Sequence, residues 1–394
     1  MSHLSARQSA LYWFNPLVLS RISVAFAAIT AVWLTVASVH GEVIALVAAI
    51  AVVVTGQAGR MLAGPRSAAD VEWGLAGCGM LAEFLVYAGI AAAVGLHPSV
   101  SPGIAEGSLN GTFLVGLGGA GTTGVWRLAI IAVILTVLTA MVDVCVYGPG
   151  LPGTRLRTFG PPGDVRLPVA CVAFLLWGAR TAFFVVLVLG VAALGATVLD
   201  GTRQAGDRGA LRGYRGDGRL AIWIGKWVEG KVPPLPPLLV GLLVTGVLAA
   251  LGLHNLSGIL LLTPVEAMLL AAFASWHPHD GRSDWLVPPL LQAAEYVFLA
   301  EIGYAGRVWP ALTFAVVAAV GLRHLDLAYR VRGRLANGID RRGLGWEGRM
   351  IIAGLAAVIG IAPLVYTVLA LYLWFRVSRD WVVGWSARHA PVNR

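Results

Sequence analysis

The sequence predicts an all-α, polytopic integral membrane protein: a helical bundle of about 12 transmembrane helices in two parallel six-helix halves. Three observations predict it. Hydrophobic residues make up 58% of the 394-residue chain and charged residues only 12%, against about 25% charged in soluble domains. Apolar runs of roughly 20 residues, enough to cross a hydrocarbon core about 30 Å thick, recur along its length. Short motifs also recur in the same order in the two halves.

Hydropathy and breakers place the helices at 17–39, 42–63, 72–96, 125–148, 167–178, 181–199, 235–253, 256–276, 285–305, 308–329, 349–361 and 363–378. Only short stretches, "WGAR" and "GIAP", divide the fifth from the sixth and the eleventh from the twelfth. The first half covers residues 1–200, a basic linker 201–234, and the second half 235–394. The first apolar run is too long for a signal peptide, and no small-residue cleavage site follows it. Cys78, Cys145 and Cys171 are widely spaced in or beside apolar segments and read as packing residues, with no disulfide or zinc framework.

Loop charge sets the orientation. Basic residues gather after even-numbered spans: Arg60 and Arg66; Arg155, Arg157 and Arg166; the run from Arg203 to Lys231; Arg282; and Arg332, Arg334, Arg341 and Arg342. The loops after odd-numbered spans are nearly free of them, apart from Arg180 and Arg307. Both termini are therefore expected in the cytoplasm of a bacterial cell, with the chain multi-pass in the inner membrane. The net charge of +9 fits loops facing anionic headgroups and gives no support to nucleic-acid binding. In "RLAIWIGKWVEGK", Leu220, Trp223, Ile224 and Trp227 fall at i, i+3, i+4 and i+7 beside Arg219, Lys226 and Lys231. That pattern describes a short interfacial helix on the inner leaflet; a plain charged connector is the alternative.

The halves match piece by piece. "AEFLVYAGI" (82–90) parallels "AEYVFLAEI" (294–302), each in a third span. "MVDV" (141–144) parallels "HLDL" (324–327) at the end of a fourth span. "DVRLPVACVAFLLWG" (164–178) parallels "EGRMIIAGLAAVIGI" (347–361), each with an acid two residues before an arginine. Six spans is an even number, so a duplication of this kind keeps both halves in one orientation.

From "WGLAGCGMLAEFLVYAG" and its surroundings, the first half resembles the CDP-alcohol phosphotransferases. The resemblance implies a six-span enzyme that moves a substituted phosphate from a CDP-alcohol to an acceptor alcohol. The family's motif, D-x2-D-G-x2-A-R-x8-G-x3-D-x3-D, holds divalent cations against a pyrophosphate. Here Val52 and Thr55 stand at the first two aspartates, Leu75 and Gly79 at the last two, while Gly56 and Arg60 survive and Glu83 follows. As that enzyme, the first half is expected to be inactive. The second half, through "PPLPPLLVGLLVTG", "HPHDGRSDWLVPPLLQAAEY", "RHLDLAYR" and "GLGWEGRM", resembles an uncharacterised bacterial membrane domain found fused or adjacent to such enzymes. It keeps H-x2-D-G at His277, Asp280 and Gly281.

The candidate polar site is His277, His279, Asp280, Arg282, Asp284, Glu295, Arg323, Asp326, Arg330, Glu347 and Arg349. The metal candidates are His277, His279, Asp280 and Asp284. Carboxylates suit Mg²⁺ or Mn²⁺, which catalysis of this class would need, and two histidines shift preference toward zinc. A solvated turn around Pro278 and Gly281 accounts for the same residues. Glu83, Asp143, Glu266, Glu295 and Asp326 lie in or near spans, where a central charge costs roughly 2.5–3.5 kcal/mol. Arg323, Asp326 and Arg330 share a helix face. They form either an anion cradle, joined by Glu347 and Arg349 if the fold brings them together, or an ion-pair network. Glu301 and His254 belong to the outer interface. The outer "GLGGAGTTG" lacks the lysine of a phosphate-binding loop.

Three functions remain. The first is a non-catalytic scaffold or lipid-binding partner in phospholipid or polyol-phosphate glycopolymer assembly. The second is an active phosphotransferase with its site in the second half. The third is a transporter or flippase. The partners expected are membrane lipids, a CDP-alcohol or lipid phosphate, and a second copy or a partner enzyme, with no nucleic acid.

Overall fold

The computed structural model describes residues 15–36, 38–63, 69–97, 121–147, 166–204, 218–228, 284–332 and 344–389, with isolated positions between 236 and 272. Every regular element among them is helical. In chain order these are α1 (Pro16–Leu34), α2 (Val39–Ala63), α3 (Ala69–Leu96), α4 (Gly121–Tyr147), α5 (Arg166–Trp177) and α6 (Ala179–Gln204). Then follow α7 (Arg219–Val228), a 3₁₀ turn (Asp284–Leu286), α8 (Val287–Ala305), α9 (Pro310–Arg332), α10 (Trp346–Ile359) and α11 (Ala362–His389). Ten of the segments expected from hydropathy coincide with these helices. The seventh and eighth, 235–253 and 256–276, lie outside the described residues except for isolated positions.

Six helices, α1 to α4, α6 and α9, are long and apolar enough to cross a membrane. The expected count of twelve spans is therefore not reached among the described residues. At 1.5 Å per residue, the 14 residues of α10 rise only ~21 Å and the 12 described residues of α5 ~18 Å, short of a ~30 Å core. Helix α8 is long enough but carries Glu295 and Glu301. Fourteen of its 19 residues are buried, among them Gln292, Glu295 and Tyr296, so these polar groups meet protein instead of lipid, while Glu301 stays part-exposed.

Local chemistry explains the helix ends. Asn15 caps α1, its side-chain oxygen accepting from the Leu17 N–H at 3.0 Å, with Pro16 at the first helical position. Gly178 and Gly360 each close a short helix with positive φ, 86° and 82°, where a side chain would be strained. The order long, long, short, left-handed glycine, long thus occurs twice: α3–α4–α5–α6 and α8–α9–α10–α11.

Packing separates an inner group from an outer one. Helices α3, α4 and α9 bury about two-thirds of their apolar windows, whereas α1, α2 and α6 bury less than a third. On α2, Val43, Val47, Ile50 and Val54 form an exposed stripe at i, i+4, i+7 and i+11, and Leu364, Val368, Leu371 and Phe375 repeat it on α11. Continuous faces of this kind are unfavourable in water and suit lipid. Where α1 meets α3, small residues allow close approach: a Cβ on Gly89 would come within 2.6 Å of Ala31 Cα. Hydroxyls on these helices bond their own backbone, as Thr30 does to Phe26 O at 2.9 Å. Helices α4 and α9 pack along one another; α9 also packs on α3, and α4 on α8. The 3₁₀ turn fixes the second half to the first, because Trp285 packs with Val142 and Cys145 of α4. Cys78, Cys145 and Cys171 are buried and unbridged.

Candidate functional site

The deepest polar cluster lies between α8, α9 and α10. Glu295, at 0% exposure, sits mid-way along α8. Arg349, one turn into α10, donates from Nε to Glu295 Oε1 at 2.6 Å and from Nη2 to Oε2 at 3.0 Å. Its Nη1 donates to the Leu344 carbonyl at 2.7 Å, and Nη2 also lies 2.9 Å from His324 Nε2. A guanidinium has donors only, so His324 Nε2 accepts and the ring is neutral with its proton on Nδ1. That proton then points at the Tyr296 hydroxyl, 2.8 Å away. His324 Nε2 is also 3.4 Å from Glu295 Oε2. All four residues are buried. Two parallel charge-assisted bonds between buried groups hold α8 and α10 in register.

The first half holds a looser relative of this cluster. Glu83 of α3 accepts from Tyr87 Oη at 3.2 Å and Thr136 Oγ1 at 3.1 Å. Arg166, at the head of α5, lies 3.8 Å from the Glu83 carboxylate and 3.4 Å from Thr136 Oγ1. Arg60 of α2 is near enough to Glu83 to act on it electrostatically. Glu83 and Glu295 are matching positions of the repeated motifs, and so are Arg166 and Arg349. Sequence reasoning counted Arg166 among the basic loop residues and aligned it with Arg349 through the repeat, but left it out of the candidate site.

The remaining candidates are dispersed. His277, His279, Asp280 and Arg282 lie outside the described residues, as does Glu266. Asp284 is buried at the head of the 3₁₀ turn. Among the described residues, no group of three or more His, Cys, Asp or Glu side chains is arranged to hold a metal. Asp326 accepts from Arg330 Nε at 2.8 Å on its own helix, and Asp380 of α11 stands near it. Arg323 lies near His324. Arg349, expected beside this face, is held by Glu295. Glu347 turns instead to α7, accepting from Leu220 N at 3.0 Å and Ala221 N at 2.6 Å. Burial raises the Glu347 carboxyl above the ordinary range, and the backbone N–H groups oppose that rise. At the positions aligned with lost aspartates, Val52 and Leu75 are buried and the Thr55 hydroxyl bonds Ala51 O at 2.7 Å. A Cβ on Gly56 would meet nothing within 4 Å.

A residue overlooked in the sequence completes the picture at the other end of the bundle. Arg127 of α4 lies 4.4 Å over the Tyr304 ring of α8, a cation–π contact between the halves.

Residues 207–393 match the model of a family of unknown function (DUF5941). That stretch starts in the basic linker and contains α7 to α11. No curated protein matches the chain, and no solved structure matches it. The match fits the resemblance of the second half to an uncharacterised domain, and none of the comparisons connects the chain with CDP-alcohol phosphotransferases.

Proposed function

We propose that the protein is a non-catalytic membrane scaffold that binds lipid, serving as a partner in phospholipid or polyol-phosphate glycopolymer assembly at the bacterial inner membrane. In this reading a degenerate CDP-alcohol phosphotransferase-like half (1–200) is joined by a basic cytoplasmic linker (201–234) to its duplicated counterpart (235–394), with both termini cytoplasmic. One observation carries the reading: the deep carboxylate at the same place in each half, Glu83 or Glu295, faces an arginine from the short helix, Arg166 or Arg349. Glu295, held on both oxygens, braces two helices and is not offered to a metal or a substrate, and Glu83, bonded through Oε2, occupies the looser version of the same place. The lipid-facing stripes of α2 and α11 supply the surface for lipid.

The test is a thermal-shift titration of detergent-purified protein with CDP, with and without Mg²⁺ or Mn²⁺, alongside Asp280→Ala. The expected result is no metal-dependent shift in either protein, with phospholipid retained through purification and detected by native mass spectrometry. Metal-dependent stabilisation by CDP that disappears in Asp280→Ala would overturn the proposal in favour of an active transferase using the second half.

A further inference from the structure

The helix α7 stands out from the rest of the bundle. Its ten residues, "RLAIWIGKWV", are amphipathic, and the fold presents them in an unusual way. Ala221 is fully buried, and Ile224 packs against the main core. On the other side Leu220, Trp223 and Trp227 are 43%, 58% and 76% exposed, with the two indoles 6.3 Å apart. Arg219 and Lys226 are exposed beside them. An exposed pair of tryptophans flanked by cations suits the headgroup region of a bilayer, where the ring is half-immersed and the charges meet anionic lipid.

The seat of α7 is as specific as its free face. Glu347, in the first turn of α10, receives the Leu220 and Ala221 N–H groups, so its carboxylate caps α7 from another helix. A Cβ on Gly218, just before α7, would overlap that carboxylate and the Trp346 indole nitrogen. Two residues after Glu347, Arg349 grips Glu295. The contact chain is therefore continuous from the exposed tryptophans, through α7 and the first turn of α10, to the buried ion pair.

We infer that α7 anchors to the anionic lipid surface of the membrane holding the bundle, and that this contact steadies α10 and its buried pair through Glu347. The inference rests on the chain being membrane-embedded and holds whether or not the protein is catalytic. Anionic headgroups are the occupant because the face combines two indoles with Arg219 and Lys226 and carries no acidic group between them.

The experiment uses the full chain in nanodiscs of phosphatidylcholine alone or with a third phosphatidylglycerol, reading amide exchange over 219–228 and thermal stability. Two basic groups at an anionic surface correspond to roughly 10-fold or more slower exchange when phosphatidylglycerol is present. Trp223→Ser/Trp227→Ser should lose that slowing and the accompanying rise in melting temperature, and Lys226→Gln, which leaves Arg219 in place beside Glu347, should lose part of both. Glu347→Gln should keep slowed exchange toward Trp227 but lose the melting gain. Equal exchange in the two lipid compositions would overturn the anchor. So would slowing that follows the number of protein copies per disc instead of the lipid. A full melting gain in Glu347→Gln would overturn the coupling. CDP binding is a separate readout, so failure of the scaffold reading stays distinguishable from failure of this one.

Discussion

Replacing Arg349 by methionine is the sharpest perturbation available. The substitution keeps an unbranched apolar stem and removes donors at 2.6 and 3.0 Å to Glu295, 2.7 Å to Leu344 O and 2.9 Å to His324. Glu295, with no exposed surface, then has no donor left among the described residues, because the His324 Nε2 at 3.4 Å presents a lone pair. An uncompensated charge left by breaking a buried pair costs about 3–5 kcal/mol. We expect Arg349→Met to destabilise by that amount in an SDS-titration unfolding equilibrium, and Glu295→Gln by a similar amount. The double variant should cost clearly less than the sum, because the second change removes the stranded group. Arg166→Met is the internal comparison. Its guanidinium approaches Glu83 only to 3.8 Å, and the expected loss is about 1–3 kcal/mol. A loss below ~1 kcal/mol for Arg349→Met, the range of solvent-exposed pairs, would refute the reasoning. An Arg166→Met loss equal to that of Arg349→Met would refute the ranking by geometry.

Three further outcomes follow from single positions. In ¹⁵N-histidine spectra at neutral pH, the signals lost in His324→Gln should be those of a neutral ring protonated on Nδ1. An imidazolium or Nε2–H pattern would contradict the Arg349–His324 hydrogen bond. Gly89→Ala should lower the melting temperature by forcing α1 away from α3, while Gly56→Ala, with open space around it, should melt within error of the parent. Gly360→Ala should cost about 1–2 kcal/mol for a left-handed conformation, measured by the same SDS titration; a neutral result would mean that the α10–α11 break does not need this glycine.

Much of the helix layout was legible because its causes are local. The expected 349–361 and the observed Trp346–Ile359 differ by two or three residues at each end, since Gly345 and Gly360 punctuate the chain where hydropathy also changes. The number of spans was less legible. An apolar run records its composition, but not how far it rises before the backbone leaves the helix. Hydropathy likewise undervalues α8, most of whose residues, Glu295 among them, are covered by protein. Within the site, Asp326–Arg330 follows from i, i+4 spacing on one helix. The pairing of Glu295 with Arg349 spans 54 residues and two turns of the chain, and no periodicity announces it. The repeat came nearest, because it aligned Glu83 with Glu295 and Arg166 with Arg349 without showing that they meet. Glu347 illustrates the opposite error: its place beside an arginine drew it toward an anion cradle, whereas its carboxylate caps a helix from the linker.

The two clusters differ in tightness for a reason visible in the aligned motifs. "AEYV" carries Tyr296 where "AEFL" carries Phe84, and "HLDL" carries His324 where "MVDV" carries Met141. Phe84 and Met141 are both buried. The second half therefore has a hydroxyl and an imidazole where the first has two apolar side chains, and Arg349 gains a nitrogen acceptor that Arg166 lacks. This makes Tyr296 and His324 a unit. His324→Met alone removes an acceptor from Arg349 and one partner from the Tyr296 hydroxyl, two buried hydrogen bonds whose loss costs about 1–3 kcal/mol. Adding Tyr296→Phe removes the hydroxyl that lost its bond to the ring and restores the pairing of side chains found in the first half. The double variant should therefore be more stable than the sum of the two single losses by about 1 kcal/mol, within the range of contacting residues. Strict additivity would show that the two side chains act independently, and the difference between the halves would then need another cause.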